Sequence, residues 1–234
     1  MHKYISEDKT SYCLGMSLTI EALKHKSEYV EKVILSEKAL KNEQLSYLLS
    51  LCKQKDIEIE YNDVLIDKLS LKENCYCIGL FRKFYSNLNS NNHVVLYGFN
   101  DYGELGTILR SAVSFDFKDI VLIDCNIDYF DPKCIRSSMG SIFHTNIVSY
   151  PNFGEYFLDY PKQKVYSFVS KSNLELMDIK LVEPYSLIIS QDYKGLDGMF
   201  GDSYMLKHKN DKEISLSVRL SIILSVAYHL KRKR

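Results

Sequence analysis

Asp131-Pro132-Lys133-Cys134-Ile135-Arg136-Ser137-Ser138-Met139-Gly140-Ser141-Ile142-Phe143 is the stretch on which the fold turns. Lys133 and Arg136 stand three apart, on one side of a helix, and Ser137, Ser138, Gly140 and Ser141 let another backbone or a phosphate come close. Upstream lies a second dense patch, Gly98-Phe99-Asn100-Asp101-Tyr102-Gly103-Glu104-Leu105-Gly106-Thr107-Ile108-Leu109-Arg110, directly after the apolar run Val94–Tyr97. Downstream, Ser190-Gln191-Asp192-Tyr193-Lys194-Gly195-Leu196 follows the apolar run Leu187–Ile189. Backbone N–H groups at strand-to-helix junctions favour anionic and nucleotide-like ligands. Singly, each patch has an ordinary explanation: a surface ion pair for Arg110, a small-residue helix contact with solvated charges for Lys133 and Arg136. Their succession argues for a built site.

A length of 234 residues allows one large domain or two small ones. Lys and Arg number 30 against 30 Asp and Glu, so bulk charge selects no polyanionic partner and any basic surface is local. The terminal Lys231-Arg232-Lys233-Arg234 reads first as a solvated helix end. Cysteines at 13, 52, 75, 77, 125 and 134 form no CxxC pair, and we read them as reduced thiols rather than metal ligands. The start of the chain shows no apolar leader, and no run approaches the roughly 18 apolar residues of a membrane span. The expectation is a cytoplasmic protein with no membrane contact and no metal.

Residues 1–85 alternate helical and strand patterns. Leu18, Ala22 and Leu23 have helical spacing, Tyr29–Leu35 reads as a strand, and a helix near Glu43–Gln54 follows. Ile57–Tyr61 alternates as a half-buried strand, and Cys75–Phe81 closes the unit. No catalytic-looking cluster stands out in it. Residues 86–92, Ser86-Asn87-Leu88-Asn89-Ser90-Asn91-Asn92, read as a linker. In residues 93–234 the strands become short and continuously apolar (Val94–Tyr97, Ile120–Ile123, Val165–Val169, Leu187–Ile189), which suits a sheet covered on both faces. Helices are expected at Leu105–Phe115, Pro132–Ser141, Asn152–Asp159 and Leu216–Lys231. The last has an apolar surface wider than one face needs, which a partner subunit or a central core position explains equally well.

Within the first patch, Gly103 and Gly106 are expected to make the tight strand-to-helix turn. Arg110 lies off the Ile108/Ala112 face and should point to solvent or ligand. The third turn sits at the C-terminal end of a strand, where open α/β sheets bind ligands. Ser215 is the natural N-cap of the last helix.

In this order, the three patches resemble the three motifs of the SpoU/TrmH-type RNA ribose 2′-O-methyltransferases of the SPOUT superfamily. The segment Asp128 through Ser141 matches best, and the resemblance covers about residues 93–234. It implies an α/β domain tied as a trefoil knot, S-adenosylmethionine as cofactor, rRNA or tRNA as substrate and a homodimer through the knotted domain. The preceding unit is similar, in arrangement, to a small ribosomal-protein-like α/β substrate-binding domain. By this resemblance Arg110 is the arginine that activates or holds the ribose hydroxyl, and Glu104, Asp192, Ser215 and Ser217 are the other catalytic positions. Ser190, Gly195, Leu206 and Leu216 line the cofactor, and Lys133, Arg136 and Ser138 face RNA.

The chain departs from the family pattern at several of these positions. Glu104 and Ser217 each replace an asparagine, Asp192 replaces a glutamate, and Tyr193 stands where glycine is common. An arginine is a poor base, since its pKa exceeds about 12. Glu104, on the same helix, is expected to pair with Arg110, either supplying a base or neutralising it. A second possibility is therefore a family member that binds RNA but no longer methylates it, and a third an unrelated, unknotted nucleotide-binding protein.

Overall fold

The computed structural model describes residues 4–70, 75–89, 91–191, 196, 199–200, 203–207 and 214–232. Contacts divide the chain into two compact units. The first joins residues 1–84 with Asp128–His144, and the second joins Tyr85–Ile127 with Thr145–Arg234.

The first unit contains β1 (Thr10–Leu14), α1 (Met16–His25), β2 (Val30–Leu35), α2 (Leu45–Lys55), β3 (Glu58–Tyr61), α3 (Asp63–Leu69) and β4 (Cys77–Arg82). Their sheet has the order β1-β4-β2-β3, with β4 antiparallel to β1 and β2, and β2 parallel to β3. Adjacent residues of a strand face opposite ways. Tyr12 packs with Ile66 and Leu69 of α3, while the Cys13 thiol meets the Thr19 hydroxyl of α1 at 3.6 Å. Both faces are therefore covered. β1 and α3 are absent from the sequence reading: β1 is a five-residue run without clean alternation, and α3 is only seven residues long. Burial pushes the Cys13 and Cys52 thiols up to about 11, in keeping with cysteines that are all free.

Residues 128–144 complete this unit. The Ser11 hydroxyl donates to the Phe130 carbonyl at 2.6 Å, and Phe81, Phe84, Phe130 and Phe143 pack ring on ring. The Lys83 ammonium lies 2.8 Å from the Asp128 carboxylate, which also accepts the Tyr4 hydroxyl. Helix α5 spans Pro132–Ser137, shorter than the expected Pro132–Ser141. Met139 and Gly140 adopt positive φ (50° and 86°), which ends the helix before a 3-10 turn at Ser141–His144.

The second unit contains β5 (His93–Tyr97), α4 (Tyr102–Ser114), β6 (Asp119–Ile123), β7 (Asn146–Tyr150), α6 (Phe153–Asp159), β8 (Lys164–Val169), β9 (Tyr185–Ser190), β10 (Ser203–Met205) and α7 (Leu216–Arg232). All strand pairs in its six-stranded sheet are parallel, in the order β10-β8-β9-β5-β6-β7. Every residue of β6 and β9 is buried, as the continuous apolar runs require. The chain runs outward from β5 to β7, returns to β8 on the other side, and then fills the gap with β9. β5 and β9 therefore flank the point where strand order reverses, and ligands of open α/β sheets bind beyond the strand ends there.

One substitution tests the tight seam of the first unit. A Cβ on Gly79 would lie 2.7 Å from the Cys13 sulfur and 2.9 Å from Thr19 Cγ2. Gly79→Ala is expected to destabilise the protein by about 1–3 kcal/mol, measured by chemical denaturation.

Candidate functional site

The second unit builds its site at the C-terminal ends of β5 and β9. Tyr97 and Ser190 are register partners at the ends of these two strands. Gly98, at φ 61°, makes the turn out of β5, and its N–H donates to the Ile123 carbonyl at 3.0 Å. Gly103 and Gly106, expected to make that turn, instead lie inside α4. Asp101 caps α4 by accepting the Glu104 N–H at 2.7 Å. The Cys125 thiol, at the end of β6, accepts the Phe99 N–H at 3.3 Å, and burial raises its pKa. A thiol held protonated in this way braces the loop and is a poor nucleophile.

Glu104 does not pair with Arg110. Its Oε1 accepts the backbone N–H of Ser217 at 2.9 Å, at the start of α7. A carboxylate at a helix N-terminus answers both an orphan donor and the positive end of the helix dipole. The expected cap, Ser215, is exposed, with its hydroxyl 3.3 Å from that of Ser217. The Glu104 side chain, a departure from the family pattern, thus caps the backbone of α7. Arg110 is exposed on α4, and no salt bridge among the described residues involves it.

Arg219 is the residue the sequence reading missed. It is 3% exposed, and its Nη2 donates to the Ser190 carbonyl at 3.3 Å and to the Gln191 carbonyl. The signal was present in the sequence. Leu216, Leu220, Ile223, Leu224 and Ala227 form the buried stripe of α7, and position 219 falls on it. A charge on such a stripe must be bonded to something internal.

Ser190 is 3% exposed, and its Oγ has no hydrogen-bond partner among the described residues. An orphaned buried hydroxyl at the switch point is what a ligand's polar edge would satisfy. Leu216 is buried in the first turn of α7, and Leu206 is half-buried just past β10. Asp192 and Gly195 lie outside the described residues. The structure thus brings together Glu104, Ser190, Ser215, Leu216 and Ser217. Lys133 and Arg136 are exposed, but on the first unit. Ser138, expected to face RNA, is fully buried, and its hydroxyl donates to the Ile135 carbonyl at 2.7 Å.

Residues 91–203 match the model of the SpoU rRNA Methylase family. This segment is a SpoU-family domain. The chain is 27% identical over 138 residues to the 23S rRNA (guanosine(2553)-2′-O)-methyltransferase RlmP of Bacillus subtilis. That match covers 56% of this chain and 54% of the relative, so it spans about half of the relative's length. An AdoMet-bound rRNA methyltransferase from Sinorhizobium meliloti superposes with a TM-score of 0.76 at 20% identity, covering 94% of this chain and 87% of its own. The SpoU methyltransferase AviRb from Streptomyces viridochromogenes, in complex with AdoMet, gives 0.78 at 14% identity, covering 97% and 92%. At such identities the likeness is one of fold: an α/β fold with a parallel sheet.

Glu104→Ala removes the acceptor for Ser217 and should cost about 0.5–2 kcal/mol, whereas Glu104→Gln should cost less. Arg110→Ala, at an exposed position, should change stability by under about 0.5 kcal/mol. Urea denaturation of the three variants checks the assignment of Glu104 to α7 rather than to Arg110.

Proposed function

We propose that the protein is an S-adenosylmethionine-dependent RNA methyltransferase acting on a ribose 2′-hydroxyl of rRNA or tRNA. The observation that carries this is the meeting of the first patch, Ser190 and Gln191 at the end of β9, and the last helix. Glu104 holds the start of α7, and Arg219 of the same helix holds the carbonyls after β9. The printed activity of the Bacillus subtilis relative supports the same chemistry.

The residues present fit the cofactor: Ser190 offers a hydroxyl without a hydrogen-bond partner among the described residues, and Leu216 and Leu206 offer apolar cover. Bound there, S-adenosylmethionine would supply a methyl group on a sulfonium. We assign Arg110 to holding the ribose hydroxyl and its neighbouring phosphate, because a guanidinium donates five N–H groups and accepts no proton. The departing proton then goes to phosphate or water. Glu104, engaged at Ser217, is a positioning residue in this scheme, with Ser217 as its partner; Asp192 and Ser215 remain candidate catalytic positions and Gly195 a candidate cofactor contact. Lys133 and Arg136, exposed in the first unit, are assigned to RNA phosphates.

The family resemblance extends the proposal to a trefoil knot in residues 93–234. Residues 1–85 are proposed as a ribosomal-protein-like substrate-binding domain, with 86–92 as the link. Val218 and Ile222 are exposed apolar residues one turn apart on α7, and they support a homodimer through that helix. No described helix is long and apolar enough to cross a membrane, and a cytoplasmic location is part of the proposal.

The alternative, a family member that keeps RNA binding and has lost catalysis, rests on the changes at 104, 192 and 217. The bond from the Ser217 N–H to Glu104 weighs against it, since it gives one of the three, Glu104, a structural use. Arg110→Ala should abolish methyl transfer to RNA while cofactor affinity stays within a few-fold. Unchanged turnover would remove Arg110 from the mechanism. Calorimetry with S-adenosylmethionine separates the two possibilities, because absent binding at about millimolar ligand favours the non-catalytic one. Mass spectrometry of rRNA and tRNA nucleosides with and without the gene should reveal one missing ribose methyl.

A further inference from the structure

The first unit contains a cluster that the methyl-transfer chemistry does not use. Glu21 and His25 stand i,i+4 on α1, so they share a face. His144 closes the 3-10 turn at Ser141–His144 and reaches the same point from the other end of the unit's sequence. His144 Nε2 lies 2.8 Å from Glu21 Oε2, and His25 Nε2 lies 3.6 Å from the same oxygen. The two imidazole rings are 3.8 Å apart, tilted by 45°. One ligand atom from each of the three residues lies within 4.8 Å of the others.

We propose that Glu21, His25 and His144 form a binding site for a divalent transition-metal ion of the zinc type. Two ligands each about 2.1 Å from a tetrahedral ion lie about 3.4 Å apart. The separations of 2.8 and 3.6 Å bracket that spacing, so small side-chain rotations suffice. Two imidazoles and one carboxylate suit zinc, copper or nickel rather than magnesium. All three side chains are partly exposed, which leaves an entry path and a fourth position for water. Glu21 Oε1 accepts the Lys24 ammonium at 3.1 Å, which fixes the carboxylate and leaves Oε2 to the ion.

The backbone is shaped to allow the approach. Gly140 has φ 86°, and a Cβ there would lie 2.9 Å from Glu21 Cβ. Only glycine seats the start of the 3-10 turn against α1 in this conformation. A bound ion would therefore clamp the end of the 128–144 segment to α1 and stabilise the first unit by mass action. This assignment is independent of the methyltransferase proposal.

The test uses the full-length, tag-free protein stripped with a chelator. Zinc chloride titrated by calorimetry should bind at one equivalent and raise the melting temperature, while magnesium chloride does neither. His144→Gln keeps a donor for Glu21 but ligates poorly, and His25→Ala alters an exposed position. Each should weaken zinc binding at least about tenfold with the circular dichroism spectrum unchanged. Should His144→Gln fail to fold, His25→Ala and X-ray absorption of the zinc-loaded wild type decide, the latter expected to show nitrogen and oxygen neighbours. No zinc binding, equal binding by the variants, or a sulfur shell from the cysteines overturns the proposal.

Discussion

Everything at the candidate site depends on where β9 lies. A parallel strand inserted between β8 and β5 must be buried on both faces and bonded along both edges. Its sequence, Tyr185–Ser190, answers with full burial at every position. The placement puts Ser190 beside Tyr97, so β9 and β5 end side by side. α7 then packs against α4, and its first residues reach that edge. The end of β9, the first patch and the last helix are thereby held by a sheet that has little freedom to rearrange.

The polar groups left over by this arrangement are satisfied by charged residues in two places. Glu104 takes the first-turn N–H of α7, and Arg219 takes the carbonyls that β9 leaves at its end. Each charge faces the end of a backbone element that needs it: a carboxylate for donors, a guanidinium for acceptors. A substitution that only erased a catalytic group would leave its partner unmatched. Glu104 has its partner in the main-chain N–H of residue 217, so its carboxylate is a way of fixing the start of that helix.

Much of this was legible in the sequence because burial on two faces leaves a strong trace. The apolar runs of β5, β6, β8 and β9 were each found within a residue or two, and so was α7. The short elements were not, since β1, α3 and β10 owe their form to neighbours rather than to local pattern. At the site, identities were legible and pairings were not. Glu104 was noticed, but spacing along one helix suggested Arg110 as its partner, whereas the real partner is 113 positions away. Arg219 was passed over because the stripe around it reads as core. The use of Gly98 rather than Gly103 for the turn was likewise invisible, because glycines near a strand end are interchangeable to a pattern.

The segment Asp128–His144, inside the stretch that matches the family model, belongs by its contacts to the first unit. Its start is held by a partly buried ion pair between Asp128 and Lys83, and the Lys83 ammonium also lies 4.9 Å from the Tyr4 ring. Its middle is held by Phe130 and Phe143 in an aromatic cluster with Phe81 and Phe84. Anchored at both points, α5 presents Lys133 and Arg136 to solvent on the body that also carries β1–β4. Two exposed basic residues are therefore built into the same body as β1–β4. Sequence order places them within the segment that matches the SpoU family model, but the packing of four phenylalanines decides which body they belong to.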